Sequence, residues 1–388
     1  MMKKTKKTSS KKQAKNNFKA KLRKAIRRNL RKEVGLNPRV AHFAGTLIVG
    51  LMSFVAGVWH KKLALAFGGD NQPESNVRAV QRFFSNTYLN YHLYSCMLYN
   101  MLQIQGKATI IIDRTNWDFG KKHINIFVAA VLVKSYTGKQ SFAVPIVWEV
   151  FDKKGNTNTE ERKNLMDKII ALIGTDNIEM VLADREFIGE KWVQYLHQHK
   201  IPFLIRTRNN VYVEYEGKEV QVCDLFADVR HQEKCSYSVK IDGVPVTLVG
   251  TRSVEGELVI AMAFKIDGDP LDGYRLRWLI ELFFKSIKTR SFNLEETHMV
   301  HPERIKLLFA LISYATVLIV QAGIVNDQHK RIKIKNHGRP TYSLFTYGLD
   351  LLRTLFRGVV PNYLVAFFDL NPNAHDFHAI KNYAVSDG

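Results

Sequence analysis

The hydrophobic positions of the chain change period along its length, and the changes divide it into regions. Phe18, Leu22, Ile26 and Leu30 recur every fourth position among Lys and Arg, the spacing of a basic amphipathic helix. Residues 39–105 keep a helical period. Pro38 limits the start, and Gly68-Gly69-Asp70 with Pro73 forms a break. Glu74 to Phe84 follows, with Arg78 and Arg82 one turn apart, and two helices about a Gly-Gly turn suit either a DNA-reading module or a plain helical bundle. From Lys107 the pattern becomes β-branched and apolar. Ala108–Asp113, Ile124–Val133 and Phe142–Phe151 are predicted strands, the last two joined by a turn at 136–139. An amphipathic helix, Glu160–Ile173, closes at Gly174. A strand over Ile178–Asp184, a helix from about Gly189 to His199 and a strand over Pro202–Thr207 come next. Residues 209–265 are strand-like and turn-rich, with Asp242-Gly243 as a hairpin signal. A helix over Tyr274–Lys288, an apolar helix near 303–326, a basic segment from His329 to Arg339 and a final helix from about Ser343 to Arg357 complete the pattern. No internal repeat is visible.

Charge sharpens these divisions. The 388 residues carry a net +21, and residues 1–32 hold 15 Lys and Arg before the first acid, Glu33, leaving +6 for the rest. Such a balance favours a polyanionic partner, nucleic acid or an anionic membrane surface. The stretch from Lys3 to Lys12 cannot bury a core and reads as disordered. Together these signals predict a basic, disordered tail over 1–38 and a helical DNA-binding region over 39–105. A first core segment covers 106–208, a β-rich insertion 209–268, core helices 269–328 and a basic, helical C-terminal region 329–388. Cys96, Cys223 and Cys235 are widely spaced, which predicts neither a disulfide framework nor a thiolate metal site. A cleaved leader is not expected, because about 40 residues precede the first apolar run. Two uncharged runs, Phe43–Trp59 and Leu307–Asn326, approach membrane-spanning length, but their Gly, Ser, Thr, Tyr and Gln content favours buried helices over insertion.

Candidate chemistry centres on the Tyr274–Lys288 stretch. On a continuous helix Tyr274, Arg277, Glu281, Lys285 and Lys288 fall within roughly an 80° arc, with Leu276, Leu279, Ile280, Phe283 and Ile287 opposite. One carboxylate flanked by a phenol and three cations suits a site for metal and phosphate; a solvated face with i,i+4 pairs is the plain alternative. Asp113 and Asp184 each follow an apolar run, where a turn or cap residue is common. If their strands are neighbours, both carboxylates lie together at a sheet edge where α/β proteins place sites, and a helix can bring Glu281 to them. Three carboxylates can hold two Mg²⁺ ions about 3.5–4 Å apart for in-line phosphoryl displacement, Asp113 bridging, Asp184 and Glu281 taking one each, with Mn²⁺ as a substitute. Arg277, Lys285 and Lys288 offset the acids against DNA, and Arg206 and Arg208 at a strand exit are further candidates for its backbone.

These residues carry a resemblance. Tyr274-x2-Arg277-x3-Glu281-x6-Lys288 resembles the Tyr-Arg-Glu-Lys signature of the DDE transposases of bacterial insertion sequences, family four. Asp113-Arg114-Thr115-Asn116-Trp117 and Ala183-Asp184-Arg185-Glu186-Phe187 are similar to the segments around that family's two catalytic aspartates. Ser291 to His298 and Asn336 to Arg339 resemble the stretch downstream of its catalytic glutamate, with Ser291 where Gly is expected. The likeness spans about residues 40–355. It implies an α/β, RNase H-like core with a β-rich insertion before the glutamate helix, and Asp113, Asp184 and Glu281 as catalytic, metal-binding residues. It also implies DNA contacts from Tyr274, Arg277 and Lys288, cleavage at element ends, and strand transfer into target DNA, in relatives through a DNA hairpin. Double-stranded DNA, a homodimer holding two ends together, no membrane, and a cytoplasmic, nucleoid-associated location follow as expectations. The residue that corresponds to the insertion-domain Trp stacking on a flipped base in relatives is left open, since none of the five tryptophans lies within 209–265. A catalytically silent DNA-binding descendant and another RNase H-like nuclease are the competing readings.

Overall fold

The structure is a computed structural model and describes residues 4–53, 57–68, 72–336 and 338–359, with side chains from Phe18 onward. Gly69 and Asp70 of the predicted break, Phe54 to Ala56 of the first apolar run, His337 and the segment 360–388 lie outside the described residues.

Among the described residues ten strands form one sheet. In chain order they are β1 (Ala108–Phe119), β2 (Lys122–Lys134), β3 (Ser141–Asp152), β4 (Ile178–Ala183), β5 (Phe203–Arg206), β6 (Tyr212–Tyr215), β7 (Lys218–Gln221), β8 (Lys234–Ile241), β9 (Val244–Arg252) and β10 (Leu258–Phe264). Across the sheet their order is β3-β2-β1-β4-β5-β10-β9-β8-β6-β7. The first three are antiparallel neighbours, while β1–β4 and β4–β5 are parallel. This is the RNase H-like arrangement, and Ile110, Ile111, Ile112, Val181, Leu182 and Ala183 are buried at its centre, as parallel strands covered on both faces require. The β-rich insertion is present and continues the same sheet, because β10 pairs antiparallel with β5. At its predicted hairpin Asp242 and Gly243 both take positive φ, 51° and 78°, the conformation a two-residue turn between twisted strands needs.

The helices are α1 (Lys4–Val34), α2 (Pro38–Ser53), α3 (His60–Ala64), α4 (Pro73–Asn86), α5 (Tyr91–Leu102), α6 (Thr159–Ile173), α7 (Glu190–Gln198), α8 (Val222–Leu225), α9 (Pro270–Arg275), α10 (Trp278–Lys285), α11 (Pro302–His329) and α12 (Leu344–Phe356). Asn158 caps α6 in a reciprocal capping box with Glu161, which satisfies two of the free N–H groups at that end. The expected disordered tail is corrected over much of its length. The backbone from Lys4 is helical, and Phe18, Leu22, Ile26, Leu30 and Val34 are buried in the core, so the four-residue spacing docks α1 on the body.

Helix α11 is long and apolar enough to cross a membrane, yet its apolar window is entirely buried in the protein. It packs against β3, α2, α5 and α12. The crossing with α12 is backbone on backbone: a Cβ at Gly348 would stand 1.8 Å from the Ile319 carbonyl oxygen, and one at Gly323 2.0 Å from that of Leu344. The length of this helix therefore reflects a core that surrounds it on every side.

Candidate active site

Strand register sets the first two carboxylates. Ile112 pairs with Ala183 across the parallel β1–β4 ladder, so the next residue of each chain, Asp113 and Asp184, stand side by side. Here β1 departs from its predicted end at Asp113. It runs on to Phe119 against β2, while β4 stops at Ala183. Asp113 is thus a mid-strand residue opposite the place where its parallel neighbour gives way to a loop. A buried strand interior is an uncommon place for an ionised carboxylate.

The stretch expected as one helix is divided. Between α9 and α10 the chain tightens through i→i+3 hydrogen bonds from Arg277 N to Tyr274 O and from Ile280 N to Arg277 O, and beyond Lys285 the backbone forms a π turn over Ser286–Arg290. Such departures inside helical runs are frequent at functional sites. They leave the polar stripe aimed at the sheet. The Tyr274 hydroxyl donates to Asp184 Oδ1 at 3.1 Å. Arg277 donates from Nη1 to Asp113 Oδ2 at 3.3 Å and from Nη2 to Glu281 Oε1 at 2.5 Å. Asp113 Oδ1 accepts from the Arg114 amide at 2.8 Å. The three carboxylates expected from sequence are therefore gathered around one guanidinium and one phenol.

Burial dominates the electrostatics. It pushes the Asp113 carboxyl up to about 7, with Glu186 and Asp184 adding to the rise and the Arg114 amide and Arg277 opposing it. Burial likewise raises the Tyr274 phenol, helped by Asp184. For Arg277 burial alone would lower the guanidinium, but Tyr274, Asp184, Asp113 and Glu281 together hold it above its ordinary value. Arg277 Nε is buried without a hydrogen-bond partner, and an orphan donor of this kind is costly unless a ligand completes it.

The donor chemistry fits a hard divalent cation, since Asp113, Asp184 and Glu281 offer only carboxylate oxygens and Arg277 shows that two of them already share a positive charge. Among the described residues, however, no three His, Cys, Asp or Glu groups converge closely enough to hold a metal ion as they stand.

The other candidates fall into two groups. Lys288 reaches the site's edge, donating to the Asn116 carbonyl at 3.1 Å and pairing with Glu295 at 2.5 Å. Arg206 pairs with Glu257. As expected phosphate contacts, Arg277, Lys288 and Arg206 are instead engaged by protein groups here. Lys285, Arg208, Arg78 and Arg82 are exposed, and the last two lie on the solvent face of α4, away from buried Val80, Phe83 and Phe84. Helix α4 packs chiefly on α3 and α11.

Some residues of the site escaped the sequence reading. Glu186 receives Arg114 Nε on both oxygens at 2.9 Å, linking the segments that follow the two aspartates. Arg162 of α6 is buried and donates to the carbonyls of Thr157, Glu186 and Ile188 at 2.7, 2.9 and 3.3 Å, fixing the loop after Asp184. Glu186 and Arg114 stand inside recognisable motifs, but Arg162 sits in an ordinary amphipathic pattern and gave no signal. Trp278, next to Arg277, is 58% exposed. His298 stacks between Trp59 and Phe119, with ring centroids at 6.3 and 5.2 Å, and so ties the N-terminal helices to the end of β1.

Residues 104–255 match the family model described as "Transposase DDE domain", a span that holds both aspartates but not Glu281. No curated protein matches the sequence. Among solved structures, the chain is similar to a piggyBac transposase in a synaptic complex with hairpin DNA, at 12% identity and a TM-score of 0.43, covering 87% of this chain and 76% of that one. It is also similar to endonuclease V from Bacillus subtilis, at 11% identity and a TM-score of 0.25, covering 66% and 96%.

Proposed function

We propose that the protein is a DDE transposase that cleaves DNA at the ends of an insertion sequence and transfers the freed strand to target DNA. The observation that supports this reading is that Asp113 and Asp184 stand side by side where β4 ends beside β1, with Arg277 bridging Asp113 to Glu281 and Tyr274 bonded to Asp184. Asp113, Asp184 and Glu281 would hold Mg²⁺, which when bound polarises a phosphodiester and sharpens an oxygen nucleophile.

The protein's own groups do the rest. The sheet fixes Asp113 and Asp184, while Arg114, Glu186 and Arg162 lock the segments that follow them, so the two aspartates are positioned before DNA arrives. Arg277 and Lys288 become phosphate contacts once DNA competes for them, through charge-assisted bonds. Lys285, Arg208, Arg78 and Arg82 extend the positive surface, and Lys24, Arg31 and Lys32 line the exposed side of α1 opposite its buried stripe. Two DNA ends processed together imply a dimer in the synaptic complex, acting in the cytoplasm on the nucleoid.

The test is incubation of the purified protein with Mg²⁺ and DNA carrying the sequence that flanks its own gene. Cuts are expected at the outer edges of inverted repeats, followed by joining to a target plasmid. Asp113→Asn, Asp184→Asn and Glu281→Gln should each abolish cutting and keep DNA binding. Cleavage that survives all three would overturn the assignment; cleavage without joining would make the protein a nuclease.

A further inference from the structure

We propose that Arg277 is a latch: in the DNA-free protein it occupies two of the carboxylates that bind metal, and a DNA phosphate must draw it away before the site can load. The inference rests on the reading of Asp113, Asp184 and Glu281 as a metal site and concerns how that site is regulated.

Three observations carry it. First, the guanidinium spans Asp113 Oδ2 and Glu281 Oε1, so one side chain ties the sheet carboxylate to the helix carboxylate. The other Asp113 oxygen is taken by the Arg114 amide and Asp184 Oδ1 by the Tyr274 hydroxyl. Each of the three carboxylates thus has at least one oxygen engaged by a protein donor. Second, the Arg277 side chain is only 12% exposed, and its Nε has no partner. The guanidinium is held by its carboxylates but not completed by them. A phosphate can take two donors of the fork at once, in the bidentate geometry that guanidinium favours. Third, Arg277 sits on the tightened turn between α9 and α10. A small rotation of that turn moves the head group without unfolding either helix.

Electrostatics makes the two states exclusive. A divalent ion held by Asp113 and Glu281 would compete with the guanidinium for the same carboxylate oxygens, and the like charges would repel at low dielectric. Arg277 cannot keep both contacts and share them with the ion. DNA resolves the conflict, because its phosphate is a competing partner for Arg277 and brings negative charge that favours the ion. Metal binding and DNA binding are then coupled, and the coupling must be reciprocal. Such a device keeps the nuclease centre unloaded until a substrate is in place.

Mn²⁺ binding to the full chain, followed by electron paramagnetic resonance without and with a duplex from the DNA flanking the gene, tests the proposal. Without DNA, Arg277→Gln should bind Mn²⁺ at least about fivefold more tightly than the wild type, the lower end of ordinary coupling energies. DNA should raise wild-type affinity by a similar factor and that of Arg277→Gln much less. Arg277→Lys, which keeps the charge but loses the fork, should fall between them and guards against misfolding of the Gln variant. Equal DNA-free affinities for wild type, Arg277→Gln and Arg277→Lys, with Asp113→Asn abolishing binding, would overturn the latch and leave the metal site standing. Mn²⁺ binding unaffected by Asp113→Asn and Glu281→Gln would overturn the metal-site reading itself.

Discussion

Asp113 gives a sharp test because its environment penalises the charge that its function requires. Its carboxyl rises from an ordinary 3.8 to about 7 in the folded chain, chiefly by burial, and its side chain is 14% exposed. A carboxyl whose folded pKa is raised helps the folded state while protonated. That help is complete below the unfolded value of 3.8 and is lost as pH rises through about 7. About three units at about 1.4 kcal/mol each set a ceiling near 4 kcal/mol, and local relaxation brings the expected loss to about 2–4 kcal/mol. Asp113→Asn removes the titration. It also takes a partner from Arg277, but the pH dependence of that loss is already contained in the raised carboxyl, which Arg277 partly opposes. The readout is therefore the slope: in EDTA, the stability of Asp113→Asn relative to wild type should grow by about 2–4 kcal/mol from about pH 4.5 to about pH 8. Urea unfolding followed by far-UV circular dichroism at several pH values measures it. Mg²⁺ should flatten the wild-type curve by favouring the ionised carboxylate. Parallel curves for the two proteins, or a wild type that gains on the variant as pH rises, would refute the reasoning.

Three further outcomes follow from the packing and the surface. Gly348→Ala places a methyl against the Ile319 carbonyl and should cost at least about 1–3 kcal/mol by overpacking, seen as a lower melting temperature; an unchanged value would mean that α11 and α12 do not touch as described. Arg162→Met strips the donors from the carbonyls of Thr157, Glu186 and Ile188. It should reduce cleavage more than tenfold, by the loss of positioning, while DNA affinity in a filter-binding assay stays near wild type; full activity would sink the positioning role. Changing Lys24, Arg31 and Lys32 to Gln should reduce the slope of log affinity against log salt by up to about 3 with little loss of stability, because these side chains are exposed. An unchanged slope would remove α1 from the DNA surface. Deleting residues 1–32 is the wrong experiment, since it removes buried Leu22, Ile26 and Leu30.

What the sequence determined by itself was local and chemical. β-branched runs ending in aspartate, a glycine-closed amphipathic helix and the Asp242-Gly243 turn are short-range signals, and each appears in the structure close to its expected place. The residues that meet were also legible, because Asp113, Asp184, Tyr274, Arg277 and Glu281 stood in recognisable spacing. What the tertiary structure alone decided concerns neighbours distant in the chain. The extension of β1 past Asp113 depends on β2 still pairing where β4 has stopped, and no run of residues announces where a partner strand ends. The docking of α1 depends on an apolar surface built by α2, α5 and α12, so a charge-rich segment that looks unable to fold alone is ordered by what it meets. The same holds for Arg277. Its spacing marked it as a site residue, but only the arrangement in space shows its charge divided between Asp113 and Glu281, because an ion pair is set by distance and burial.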